Sequence, residues 1–139
     1  MFADVKKENQ DFKLLKLKIE ETNLPEDVYD IVIDAGHGGK DEGERAGTVT
    51  EAYVTLEYAK LLKERLEEIG YKVKLTRDDN NTGFYTETNM YDEDGRITES
   101  CNSKAKLMIS FHINNGASGL RGFELYAPTK ANLKFAKDV

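Results

Sequence analysis

Ile31-Val32-Ile33-Asp34-Ala35-Gly36-His37-Gly38-Gly39 decides the fold. It reads as a short buried strand that ends in a glycine-rich loop. Gly36, Gly38, Gly39, Gly43 and Gly47 make that loop able to approach a ligand closely. Downstream, Glu51 to Ile69 predicts a helix, with Val54, Tyr58, Leu61, Leu62, Leu66 and Ile69 on one face. Thr48-Val49-Thr50-Glu51 has capping-box spacing at its start, and Gly70 ends it. Tyr71 to Thr76 then alternates as a second strand. Strand, helix and strand in succession favour a parallel sheet.

Further out, Arg96 to Lys104 reads as a short helix, Leu107 to Phe111 as a third strand, and Gly122 to Tyr126 as a fourth. Thr129 to Val139 begins another helix. Residues 78–95 form a polar, turn-rich insertion that suits a site-flanking loop. Leu15 to Glu20 alternates as a half-buried edge strand would, and Asn23 to Asp27 is a turn. Residues 1–28 read as a linker or N-terminal extension ahead of a domain covering 29–139. The expected class is α/β: a single domain with a mostly parallel, open twisted sheet, helices on both faces, incomplete at the C-terminus.

Composition bounds the function. A length of 139 residues suits one core. Hydrophobic residues at 39% and charged residues at 33% are an ordinary globular mix. The net charge of −6 argues against a nucleic-acid partner, which would want a basic face. No apolar run is long enough for a membrane span. Met1 to Glu8 lacks the apolar core of a signal peptide, so the protein is expected either not to be secreted by that route or to begin after its signal. One cysteine excludes an internal disulfide and a cysteine-rich metal site. Cys101 is expected to be a small packing residue at a helix end.

The chemistry gathers at two histidines, the only two in the chain. His37 closes the first strand, and His112 closes Leu107-Met108-Ile109-Ser110-Phe111. Ligands of open α/β sheets bind beyond the carboxyl ends of strands. Two imidazoles there suggest a metal site, and both being structural residues is the alternative. A hydrolytic zinc site uses three protein ligands and leaves a position for water. The third ligand must be acidic, and Glu51 is the best placed. Glu51 also has a plain reading as the capping-box glutamate reaching back to Thr48. Asp34 either terminates its strand or orients a metal-bound imidazole.

Asp34-Ala35-Gly36-His37-Gly38-Gly39-Lys40-Asp41-x-Gly43 resembles the opening motif of zinc-dependent N-acetylmuramoyl-L-alanine amidases, the type 3 cell-wall amidases. The likeness continues through Glu51 and its helix, then Val73-Lys74-Leu75-Thr76-Arg77. Arg96 stands ahead of His112 as the family's arginine does, and Ala105 to Asn114 and Gly122 to Tyr126 resemble its next two strands. The resemblance spans about Tyr29 to Val139. It implies His37, Glu51 and His112 as ligands of Zn2+, peptidoglycan as the partner, and the extracellular space or cell wall as the location. It implies hydrolysis of the amide between N-acetylmuramic acid and L-alanine of the stem peptide. Asn114 is the candidate substrate contact.

The chain departs from the family in three ways. The 78–95 insertion is longer than in many members, and Cys101 and Lys106 replace residues that are commonly Asn and Asp. The family's general-base glutamate lies in a later strand and is expected beyond Val139, so no residue of this chain is assigned that role. Glu124 belongs to another motif and is read as structural. The 139 residues are therefore expected to bind zinc and to be weakly active or inactive alone. The alternative is an inactive zinc-containing domain that binds peptidoglycan or a regulatory partner.

Overall fold

A computed structural model describes residues 28–79, 95–116, 122–127 and Lys137. The elements are β1 (Ile31–Ala35), β2 (Arg45–Ala46), β3 (Val49–Thr50), α1 (Glu51–Glu68), β4 (Val73–Leu75), α2 (Arg96–Asn102) and β5 (Leu107–Phe111). The main sheet has the order β4-β1-β5, with both pairs parallel. β1 is buried along its whole length because it is central and covered on both faces. Ile31, Ile33 and Ala35 pack against Leu56 and Ala59 of α1, with Leu62 and Leu66 beside them. On the opposite face Asp34 meets Arg96 of α2. The α/β architecture with a parallel sheet and helices on both faces is as expected.

The buried face of α1 differs from the expected stripe. Ala52, Thr55, Leu56 and Ala59 face the sheet, while Tyr58 is 58% exposed, Leu61 51% and Ile69 60%. Leu62 and Leu66 belong to both sets. The reason is steric. Alanines at 52 and 59 let the helix lie close to β1, and Thr55 satisfies its hydroxyl by donating to Gly36 O at 2.8 Å. Large side chains carry the sequence signal, but small ones permit the approach.

The helix start also differs. The N-cap is Thr50, whose hydroxyl accepts from Tyr53 N at 3.3 Å, a contact typically worth about 1 kcal/mol. Thr48 and Glu51 form no capping box. β2 and β3 pair as a hairpin across Gly47, whose φ of +63° suits the turn, and this fixes Thr50 as the last extended residue. Two-residue strands are too short to leave a periodic trace, so the hairpin was not legible in sequence. The other end is as expected. Gly70, at φ +94°, donates to Glu67 O at 3.0 Å and Tyr71 N donates to Leu66 O at 3.1 Å, the paired bonds of a Schellman stop.

Two further expectations are corrected. Gly122 to Tyr126 has no regular structure, because a strand needs a ladder and these residues have no ladder partner among the described residues. Cys101 is exposed on α2 rather than packed, since the helix turns Ser100 and Ser103 inward instead. The expected strand at Leu15 to Glu20 and most of the 78–95 insertion and the final helix lie outside the described residues.

Candidate metal centre

All three candidate ligands meet at the carboxyl end of the sheet. Parallel pairing of β1 with β5 places Ala35 beside Phe111, so the residues that follow, His37 and His112, leave the sheet at the same edge. Their rings lie edge to face with centroids 5.0 Å apart. Glu51, the first residue of α1, projects between them and is 3% exposed. His37 Nε2 is 3.1 Å from Glu51 Oε1, and His112 Nδ1 is 3.2 Å from the same oxygen. One ligand atom from each residue fits within a 4.8 Å span. Ligand atoms on a tetrahedral ion with bonds of ~2.05 Å sit about 3.3 Å apart, close to the two imidazole–carboxylate separations of 3.1 and 3.2 Å.

Glu51 and His37 are held from behind. Glu51 Oε1 accepts from Ile113 N at 2.6 Å and Oε2 from Glu44 N at 2.9 Å. Burial pushes the Glu51 carboxyl up, but those two backbone donors and the neighbouring imidazoles reverse the shift, leaving its pKa below the ordinary value. Its place at a helix start also favours the anion. His37 sits at φ +63°, a left-handed conformation that costs a non-glycine residue of order 1 kcal/mol. Its Nδ1 is 2.9 Å from Asp41 Oδ2. Asp41 Oδ1 accepts from Gly43 N, and Gly38 and Asp41 exchange two backbone bonds that close the loop. Desolvation raises the Asp41 pKa, and His37 and the Gly43 N–H lower it further than that.

Asp41 completes a pattern the sequence reading missed. A metal on His37 Nε2 requires the proton on Nδ1, and a carboxylate acceptor there fixes that tautomer. A carboxylate four residues beyond a histidine in a glycine loop was the available signal. Asp34, by contrast, touches no imidazole. It accepts from Thr76 Oγ1 at 2.9 Å and Ser110 Oγ at 2.6 Å, joining all three strands. Its Oδ1 also lies 3.1 Å from Arg96 Nε, out of line for a hydrogen bond, so that contact is one of charge. Arg96 Nη2 in turn stands 3.2 Å from His112 Nε2. Both would be donors with a metal on His112 Nδ1, so a bound ion requires Nη2 to turn aside while Asp34 retains the guanidinium.

Glycines shape the cradle. A Cβ on Gly36 would lie 2.5 Å from His112 Cε1, and one on Gly43 would lie 2.6 Å from both Glu51 Oε2 and His37 Cδ2. Asn114, just beyond His112, donates to Glu124 Oε2 at 2.7 Å, which also accepts from Tyr126 OH. Asn115 donates to Glu44 at 3.0 Å.

A buried carboxylate between two histidines at the mouth of a parallel sheet is a donor set that could hold a metal ion. Residues 31–139 match the family described as N-acetylmuramoyl-L-alanine amidase, and the chain belongs to that family. It is 36% identical over 101 residues to the endolysin of Bacillus phage SPP1, covering 72% of this chain and 34% of the relative. It is 34% identical over 125 residues to the germination-specific N-acetylmuramoyl-L-alanine amidase of Bacillus subtilis (strain 168), covering 83% and 52%. Among solved structures, the catalytic domain of CwlV, an N-acetylmuramoyl-L-alanine amidase from Bacillus (Paenibacillus) polymyxa var. colistinus, aligns with TM-score 0.53 and 31% identity over 63% of this chain and 46% of that one. The chain thus spans about a third of the first of these relatives and about half of the second.

Proposed function

We propose that residues 29–139 are the metal-binding part of a peptidoglycan hydrolase that cleaves the amide between N-acetylmuramic acid and L-alanine of the stem peptide. His37 Nε2, Glu51 Oε1 and His112 Nδ1 would hold Zn2+. The observation that carries this reading is the convergence of one ligand atom from each of these residues within 4.8 Å of one another, in a chain of the amidase family. Zinc in such a site lowers the pKa of a bound water to about 7 and polarises a carbonyl.

The chain's own residues prepare the centre. Asp41 accepts the His37 Nδ1 proton and so turns the Nε2 lone pair toward the centre. The N–H groups of Glu44 and Ile113 keep Glu51 ionised and aimed. Asn114 is the proposed substrate contact, and it must exchange Glu124 for the substrate to serve as one. Hydrolysis adds water across the C–N bond, leaving a lactyl carboxylate and a free L-alanine amine. Peptidoglycan as substrate places the protein outside the membrane or in the wall. No helix among the described residues is long and apolar enough to cross a membrane.

Metal analysis of protein purified without chelator tests the centre. About one zinc per chain is expected, falling to ~0.2 or less in His37→Ala and His112→Ala. Unchanged zinc in both variants refutes the ligand set. Muropeptide mass analysis after digestion tests the reaction. Intact stem peptides with a free L-alanine amine support the amidase. Zinc binding and peptidoglycan retention without cleavage support an inactive binding domain instead.

A further inference from the structure

We propose that Arg77 is a positioning residue for the metal centre, fixing the separation of His37 and Glu51 by tying together the backbone carbonyls beside them. The proposal rests on the ligand set above. Arg77 follows β4 and is 3% exposed. Its Nη2 donates to Gly36 O at 3.1 Å and to Ala52 O at 2.7 Å. Gly36 immediately precedes His37, and Ala52 immediately follows Glu51. One nitrogen therefore bridges the two segments that carry the ligands.

The rest of the side chain locks that bridge in place. Nε donates to Ala35 O at 3.0 Å and Nη1 to Asp79 O at 2.9 Å. Thr55 Oγ1 lies 3.3 Å from Nη2 and itself donates to Gly36 O at 2.8 Å. The loop is flattened against the guanidinium, since a Cβ on Gly38 would come within 2.8 Å of Nε. Other bonds, from Glu51 N to Glu44 O and from Ala52 N to Glu42 O, join the helix start to the outer part of the loop. Arg77 joins it to the end of β1 itself. A planar fork of donors can serve several carbonyls at once, whereas an ammonium is a single point. Closing β1 against β4 needs no buried cation, and burying one is costly unless its donors are satisfied. The charge stands where the ligand-bearing carbonyls converge.

Arg77→Lys tests this against a control, Asp30→Asn. Asp30 accepts from Lys72 N and pairs with Lys106 at the opposite end of the same strands, so its loss weakens the fold remotely. Three quantities are measured: unfolding midpoint in chelator, zinc affinity by chelator competition, and the visible absorption of the Co2+-loaded protein. Arg77→Lys is expected to lower zinc affinity at least tenfold and to weaken the Co2+ bands as four-coordinate geometry is lost. Asp30→Asn is expected to leave both within twofold at a comparable loss of stability. Zinc affinity within twofold of wild type in Arg77→Lys overturns the proposal, as does an equal loss in both variants. If Arg77→Lys does not fold, Thr55→Val removes the hydroxyl that shares the bridge and is expected to lower affinity severalfold; no change there overturns the proposal too. A wild-type chain that binds no zinc overturns the ligand set and this inference together, whereas normal wild-type binding with unaffected variants overturns the inference alone.

Discussion

Asp41→Asn gives the sharpest test of how the centre is held. The carboxylate uses both oxygens, Oδ2 toward His37 Nδ1 at 2.9 Å and Oδ1 toward Gly43 N at 3.2 Å. An asparagine of the same shape keeps one oxygen and presents an amide NH2 in place of the other. It can satisfy Gly43 or His37, and whichever is left faces a donor with a donor. If His37 keeps the oxygen, the bond loses its charge and the Gly43 N–H must find water. If Gly43 keeps it, the favoured His37 tautomer carries its proton on Nε2, where the ion should bind. Loss of a carboxylate behind a metal-bound histidine typically costs 10–100-fold in metal affinity. Asp41 is partly exposed, which screens the interaction and points to the lower end, about tenfold. Chelator competition at neutral pH reads this directly, with circular dichroism confirming that the variant is folded. Affinity within twofold of wild type would refute the assignment of Asp41 as the support of His37.

Three other outcomes follow from the same geometry. Gly43→Ala and Gly47→Ala both place a side chain at φ +63°, but only the first meets neighbours, Glu51 and His37. Gly47→Ala should cost roughly 1 kcal/mol and keep metal binding, while Gly43→Ala should abolish it, as denaturant melts and metal titration would record. The metal-free protein should lose stability in acid. Glu51 and Asp41 both have lowered pKa values, so their contribution is complete above the ordinary carboxylate range and is lost as pH falls through the folded values. Urea midpoints between pH ~6 and ~3 should fall, and less steeply in Glu51→Gln. Zinc at about 100 times its dissociation constant should add about 2.7 kcal/mol and raise the melting temperature by several degrees, an increase absent in His112→Ala.

Much of this was legible because the signals were periodic or local. β1, β5 and the extent of α1 show as apolar runs and a helical pattern bounded by Gly70. The pairing of His37 with His112 follows from their places at strand ends. The facing of α1 was misread because Ala52 and Ala59 contribute little to a pattern weighted by large side chains. The hairpin at 45–50 escaped because its strands are shorter than one period. The capping reading of Glu51 was a reasonable local inference overridden at a distance. Its partners, Glu44 N and Ile113 N, lie on a loop and just past the end of β5, 62 residues away in the chain. The partners of Arg77 and Asp34 were not legible for the same reason, since each acts on groups brought close only when the three strands pair.

The parallel pairing of β1 with β5 sets an order of events. His112 and Glu51 are 61 residues apart in the chain, and they meet only after β5 has docked. An unfolded or half-folded chain offers an ion His37 and Glu51 without the third donor. A metal that recognises only the completed sheet cannot speed the step that completes it. It acts afterwards, by lowering the rate at which β5 lets go. Occupancy of the centre would therefore be read in how slowly the protein unfolds rather than in how quickly it forms, and the ion would serve as a latch on the long-range pairing of β1 with β5.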